Sequence, residues 1–392
     1  MIARMVSQEQ LHNLDFAAST PMRREAVEAQ LAYDGSAIAG ANPNSLHSLG
    51  RQAASTLETC RRTVAKSLGR RVRSSEVIFT GGGTEANVLA LHGLAEAARE
   101  KDRNRTRVIV SAIEHDSILD NLNALHSMGF TTELVKPNAQ GFVDPHALEA
   151  LMDQHVAVGS IMLANNETGV VQPVRELASV AHRYGALFHT DAVQGWMHIP
   201  FDVNELGVDA LSLAGHKVGG PVGIGALYLK SRTPLRPRSY GGGQEMGLRP
   251  GTQDLRAIVG LAAAAQALAP RVAADYTDLL ARADALYSKV CSSSRIHPTM
   301  GDPFGLSRLP GIVSIYVDGM DSEELILKLD RRGFEVSAAS ACSSGSMDAS
   351  HVLMAMGVPR EKALGSLRIS FDDRTEPAVL DAFARELLGL VS

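Results

Sequence analysis

Over its first 230 residues the chain alternates short apolar runs with longer segments of helical period. Residues 76–80 (EVIFT), 108–111 (VIVS), 132–135, 158–163 (VGSIML), 187–190 (LFHT), 210–213 and 225–229 (GALYL) are apolar runs too short for helices, and they read as strands. Helical patterns fill the intervals at 52–68, 85–99, 117–128, 145–151 and 174–184. Parallel strands need a long crossover between them, usually a helix, so this alternation predicts an α/β domain with a mostly parallel, seven-stranded sheet.

The pattern changes after the Gly/Pro-rich stretch 234–251. A long Ala/Leu helix is expected from 254 into the 280s, with Pro270 as a break. Strand 311–317, helix 322–331, strand 334–337, helix 350–355, strand 366–371 and a final helix then read as an α+β unit. The expected division is a large domain over 15–262 and a smaller one built from 1–14 and 263–392, with no internal repeat.

Composition narrows the function classes. The 392 residues carry 38 Lys and Arg against 43 Asp and Glu, a formal charge of −5, and 45% are hydrophobic. Ordinary apolar content argues against global disorder, and near-neutral charge without a basic block argues against nucleic acid as the main partner. Three cysteines, Cys60, Cys291 and Cys342, make neither a disulfide framework nor a C-x-x-C pair, which suits a reducing compartment. The first ten residues lack an apolar leader core, and the most apolar stretch, 258–270, is interrupted by Gln266 and too short to span a bilayer. A soluble, cytoplasmic protein without a membrane partner is expected.

Several strand ends carry chemistry. The run TGGGTEAN (80–87) follows a strand and opens a helix, where glycines let an anion approach free N–H groups and Thr84 adds a hydroxyl. Neither nucleotide-binding spacing is present, so a plain tight turn explains it equally. Asp191 ends the run GALFHTD, where open α/β sheets bind ligands, although a helix cap would also place a carboxylate there. Lys217, in SLAGHK (212–217), leaves a strand end; a desolvated lysine is a candidate Schiff-base amine, a solvated one a loop residue. Together, a phosphate-type loop, an acid and an amine 26 residues after it are what pyridoxal 5'-phosphate requires. His115 in AIEHD would cover a flat ring or move protons, and the amides of NNETG (165–169) would reach a polar substituent, unless they only make a turn. Cys342, in SAASACSSGS (337–346), sits among small residues that predict a mobile, solvent-reachable loop, suited to a nucleophile that travels. Cys60 and Cys291 read as structural or incidental.

With these residues in view, the chain resembles the cysteine desulfurases, of the class V aminotransferase group within the fold-type I pyridoxal phosphate enzymes. The likeness runs from about Leu14 to the last helix and rests on LDFAASTP, NPNSLHSLGR, VIFTGGGTEAN, SAIEH, IMLANNETGVVQP, HTDAVQ, GHK, GGGQEMGLRPGT, SACSSGS and SLRIS. The Ser-rich run around Cys342 looks like the group I branch. The resemblance implies that Lys217 holds the cofactor through a Schiff base, Asp191 pairs with the pyridine nitrogen, and His115 stacks on the ring and assists proton transfer. It further implies that Gln194 and Asn166 contact the phenolic oxygen or the substrate. Gly83, Thr84 and His216 would bind phosphate, and Thr252 would reach the phosphate of a partner subunit, making a homodimer with shared sites. Arg368 would clamp the substrate carboxylate, and the Cys342 thiolate would take the sulfur of L-cysteine as a persulfide, leaving alanine. No metal is implied. The sulfur would pass to an acceptor protein such as an iron–sulfur scaffold or a thiolation enzyme.

Four positions depart from the family pattern. Ala214 replaces a usual serine, Gly219 and Val222 replace a usual tyrosine and lysine, and Phe16 stands where asparagine is common. Two other readings stay open: a selenocysteine lyase or related C–S lyase on the same scaffold, and, with support from Ala214, Gly219 and Val222, a catalytically silent sulfur-transfer scaffold.

Overall fold

The computed structural model describes residues 11–338 and 348–392. Its twelve described strands are β1 (His12–Asn13), β2 (Val77–Thr80), β3 (Arg107–Ser111), β4 (Thr131–Val135), β5 (Val156–Ser160), β6 (Leu187–Asp191), β7 (Ala210–Ala214), β8 (Gly225–Leu229), β9 (Ile296–Pro298), β10 (Ile312–Val317), β11 (Phe334–Glu335) and β12 (Ser366–Ser370). Seven of them form one sheet in the order β2-β8-β7-β6-β5-β3-β4. Strands β3 to β7 run parallel, while β8 is antiparallel to both its neighbours. All seven expected runs enter this sheet. Alternate residues serve opposite faces: Val77 and Phe79 join the core beneath helices Ser48–Leu68, Val174–Arg183 and Leu255–Leu268, and Ile78 joins the core under helix Gly83–Lys101. Helices on both faces explain why β5 and β7 are buried along their whole length.

The expected strand 158–163 is displaced, for a local reason. Pairing of β5 with β3 ends at Ser160, because the Met162 amide donates to the Glu114 carboxyl at 2.8 Å. The expected helix 117–128 splits into Asp116–Leu119 and Leu122–Ser127, and the long helix into Leu255–Leu268 and Val272–Val290, which meet at 74°. Helix Arg24–Asp34 was not legible, since it buries only Ala26 and Gln30 and so has almost no apolar stripe.

A separate core gathers helix Val272–Val290, helix Pro377–Val391 and the antiparallel sheet β12-β10-β9. Leu14, Ile113, Met162 and Val170 belong to this core as well, so the two parts of the molecule share a packed boundary. The N-terminal segment crosses it: β1 pairs in parallel with β11, and Asp15 bridges to Ser370. Among the described residues no single helix is long and apolar enough to cross a membrane.

Candidate active site

The carboxyl ends of the parallel strands open on one cavity of about 140 Å³. Gly83, Thr84, His115, Asn166, Asp191, Gln194, His216 and Lys217 all line it, joined by Asn87, Ser117, Met162, Ala164, Val193 and Ala214. Each arrives by a short route. Helix Gly83–Lys101 starts three residues after β2, and its N-cap Gly82 offers no side chain. A Cβ on Gly83 would stand 2.7 Å from Val193 Cγ2, so only glycine lets the helix end approach this closely. His115 caps helix Asp116–Leu119 just after β3, Asp191 closes β6, and His216 and Lys217 lie in the single 3₁₀ turn after β7.

The electrostatics are set by burial. Asp191 is 5% exposed and accepts from Asn87 Nδ2 at 2.6 Å and from the Val193 amide at 2.8 Å. Lys217 Nζ donates to the carbonyls of Ala17 and Ala18 at 2.7 and 2.8 Å, and Gln194 Nε2 shares the Ala17 carbonyl at 2.9 Å. Burial, with the nearby Lys217 charge, lowers His216 to about 4 and keeps it neutral. Two buried carboxyls stand behind the cavity. Burial pushes Glu114 up to about 8, against hydrogen bonds from Ser111 and Met162, and pushes Glu167 up to about 7, against the Ser350 hydroxyl and the Arg368 charge.

Other expected residues lie apart from the lining. Arg368 is buried behind Asn166, donating to its carbonyl at 3.1 Å and ion-paired with Asp15 at 2.8 Å. Among the described residues its Nε has no hydrogen-bond partner. Thr252 is exposed, on the chain that leads into helix Leu255–Leu268. Cys342 lies outside the described residues. Burial pushes the Cys60 and Cys291 thiols up to about 11, so both are poor nucleophiles.

The departures acquire physical content. Gly219 has φ +74°, and a Cβ there would come 2.6 Å from Arg23 Cγ. That glycine admits Arg23, whose amide donates to the Gly219 carbonyl at 2.8 Å and whose guanidinium pairs with Asp372 and Asp373. Phe16 lies beneath the Arg374 guanidinium at 5.5 Å, and Val222 is exposed. Ala214 lines the cavity with a methyl group where a hydroxyl would offer a donor.

The sequence motifs assign no role to two polar lining residues, Asn87 and Ser117. The available signal was spacing: Asn87 follows Gly83 by four residues and so shares its helix face. Chemically, the cavity offers an uncapped helix end for an anion, a buried carboxylate for a basic nitrogen and an amine for a carbonyl carbon.

Comparison with known proteins finds relatives along nearly the whole chain. The cysteine desulfurase IscS of Dictyoglomus turgidum is 38% identical over 357 residues, covering 91% of this chain and 88% of the relative. An IscS-like cysteine desulfurase of Mycobacterium tuberculosis is also 38% identical, over 97% of this chain and 96% of its own. A solved NifS-like protein superposes with a TM-score of 0.87 at 31% identity, covering 97% and 99% of the two chains. The aminotransferase class-V model matches residues 12–383, nearly the whole length over which the cavity and the three cores are built, and the chain belongs to that family.

Proposed function

We propose that this protein is a cysteine desulfurase that uses pyridoxal 5'-phosphate to take the sulfur of L-cysteine, leaving L-alanine and a persulfide on Cys342. The observation that carries this reading is the meeting of Lys217, Asp191 and the uncapped start of helix Gly83–Lys101 in one cavity. The donor set fits the cofactor. Gly83, Thr84 and neutral His216 suit its phosphate, Asp191 its pyridine nitrogen, Gln194 and Asn166 its phenolic oxygen, and Lys217 its aldehyde carbon. When bound, the cofactor supplies an electron sink for charge developing on the substrate.

The chain's own residues do the rest. Lys217 and His115 hold and move protons at the substrate carbons, and the buried Asp191 keeps a cationic ring nitrogen paired. Arg368 would exchange part of its pairing with Asp15 for the substrate carboxylate, a bidentate task suited to guanidinium. The Cys342 thiolate forms a bond to the substrate sulfur as the Cβ–S bond breaks; the electron pair of that bond stays with the carbon, which is protonated on the way to alanine. Thr252, exposed and apart from its own cavity, would complete the phosphate site of a second copy, so the working unit would be a homodimer. The persulfide would pass to an acceptor protein.

The purified protein is expected to bind pyridoxal phosphate, with borohydride fixing it to Lys217, and to release alanine from cysteine. Peptide mass mapping should place one extra sulfur on Cys342, and Cys342→Ser should release no sulfide. Full desulfuration by that variant would defeat the persulfide step, and failure to bind the cofactor would favour a silent scaffold.

A further inference from the structure

We propose that Asn87 and Ser117 are positioning residues that hold His115 as a neutral imidazole with its proton on Nε2. The assignment follows from donors that have no choice of role. The Ser117 backbone N–H can only donate, and it lies 3.0 Å from His115 Nδ1, so Nδ1 presents its lone pair. Ser117 Oγ lies 2.9 Å from the same nitrogen. With Nδ1 an acceptor, that hydroxyl donates to it, and Asn87 holds its oxygen from behind. Asn87 Nδ2 has two hydrogens: one goes to Asp191 at 2.6 Å, the other to Ser117 Oγ at 2.8 Å. An acceptor-only carboxylate requires the NH₂ face of the Asn87 amide. The amide adopts that orientation even though its Oδ1 is buried with no partner among the described residues. Ser117 Oγ, already accepting from Asn87, turns its own hydrogen to His115 Nδ1.

The line Asp191–Asn87–Ser117–His115 thus joins the carboxylate proposed for the ring nitrogen to the proposed proton carrier. Two hydrogen bonds to the neutral form of the ring oppose protonation at Nδ1. Among the described residues, the titratable and charged groups around it include Glu114 and Asp116 on its own segment, His351 at the Glu114 carbonyl, Glu167 with Arg368 beside it, Asp191, and His216 with Lys217.

The role of His115 in proton transfer rests on the function proposed above, but its tautomer is a property of the chain and is measured separately. Full-length protein labelled with ¹⁵N-histidine, with and without pyridoxal phosphate, would be titrated by NMR, with His115→Gln identifying the signals of residue 115 among the 13 histidines. The expected result is an unprotonated Nδ1 and a protonated Nε2. Ser117→Ala should raise the apparent pKa of His115 by roughly half to one pH unit, about a three- to tenfold change in its proton affinity. Ser117→Thr should restore it, and Asn87→Ala should act like Ser117→Ala by freeing the hydroxyl. A proton on Nδ1 in the parent protein, or an unmoved titration in Ser117→Ala, would overturn the inference. The expected tautomer in a protein that releases no alanine would instead count against the proposed function alone.

Discussion

Replacing Glu114 by glutamine tests whether a buried carboxyl sits protonated behind the cavity. Glu114 is fully buried, with Oε1 accepting from Ser111 Oγ and the Met162 amide, while Oε2 has no partner among the described residues. Burial is the main cause that lifts it from 4.5 to about 8, and the Asp191 charge adds to it. Because its native pKa is raised, the folded protein binds more protons than the unfolded chain between those values. Its stabilising contribution is therefore complete below 4.5 and is lost as pH rises through 8. Glutamine keeps the acceptor and cannot ionise. Between about pH 5.5 and about pH 9 the wild type crosses roughly 2.5 pH units of that interval, or about 3 kcal/mol at about 1.36 kcal/mol per unit. Urea unfolding of both proteins at the two pH values, each at the same cofactor concentration, isolates this term as the difference between their pH dependences. Glu114→Gln should retain about 3 kcal/mol that the wild type loses on going to the higher pH. Parallel pH dependences would mean that Glu114 is ionised in the native state, and would refute the reasoning.

Two further outcomes are expected. Gly219→Ala places a side chain at φ +74° and 2.6 Å from Arg23 Cγ, so it should destabilise by about 2 kcal/mol, read as a lowered Tm; an unchanged Tm would show that Arg23 moves aside without cost. With pKa values of about 11, Cys60 and Cys291 are about one part in a thousand thiolate at pH 8, so brief iodoacetamide treatment of the native protein should leave both unmodified and label Cys342.

Much of the fold was legible because it is repetitive in sequence. Strands covered on both faces are continuous apolar runs, and the helices between them bury long stripes, as in Ser48–Leu68. Elements with thin apolar patterns escaped notice, such as Arg24–Asp34 and the two- and three-residue strands β1 and β9. Gly83, His115, Asp191 and Lys217 stood out one by one as candidates, since each opens a helix or follows a strand end in an open α/β sheet.

What the amino-acid order determined by itself is therefore local: which segments are strands and helices, and which strand ends carry a glycine loop, an acid, an amine and an imidazole. Only the tertiary structure decided the relations among them. Arg368 meets Asp15 across 353 positions of chain, and Asn87 meets Asp191 across 104. Gly219 takes its meaning from the approach of Arg23. The protonation of Glu114, Glu167 and His216 follows from how far packing removes each from water, a quantity that the local sequence around these residues does not contain.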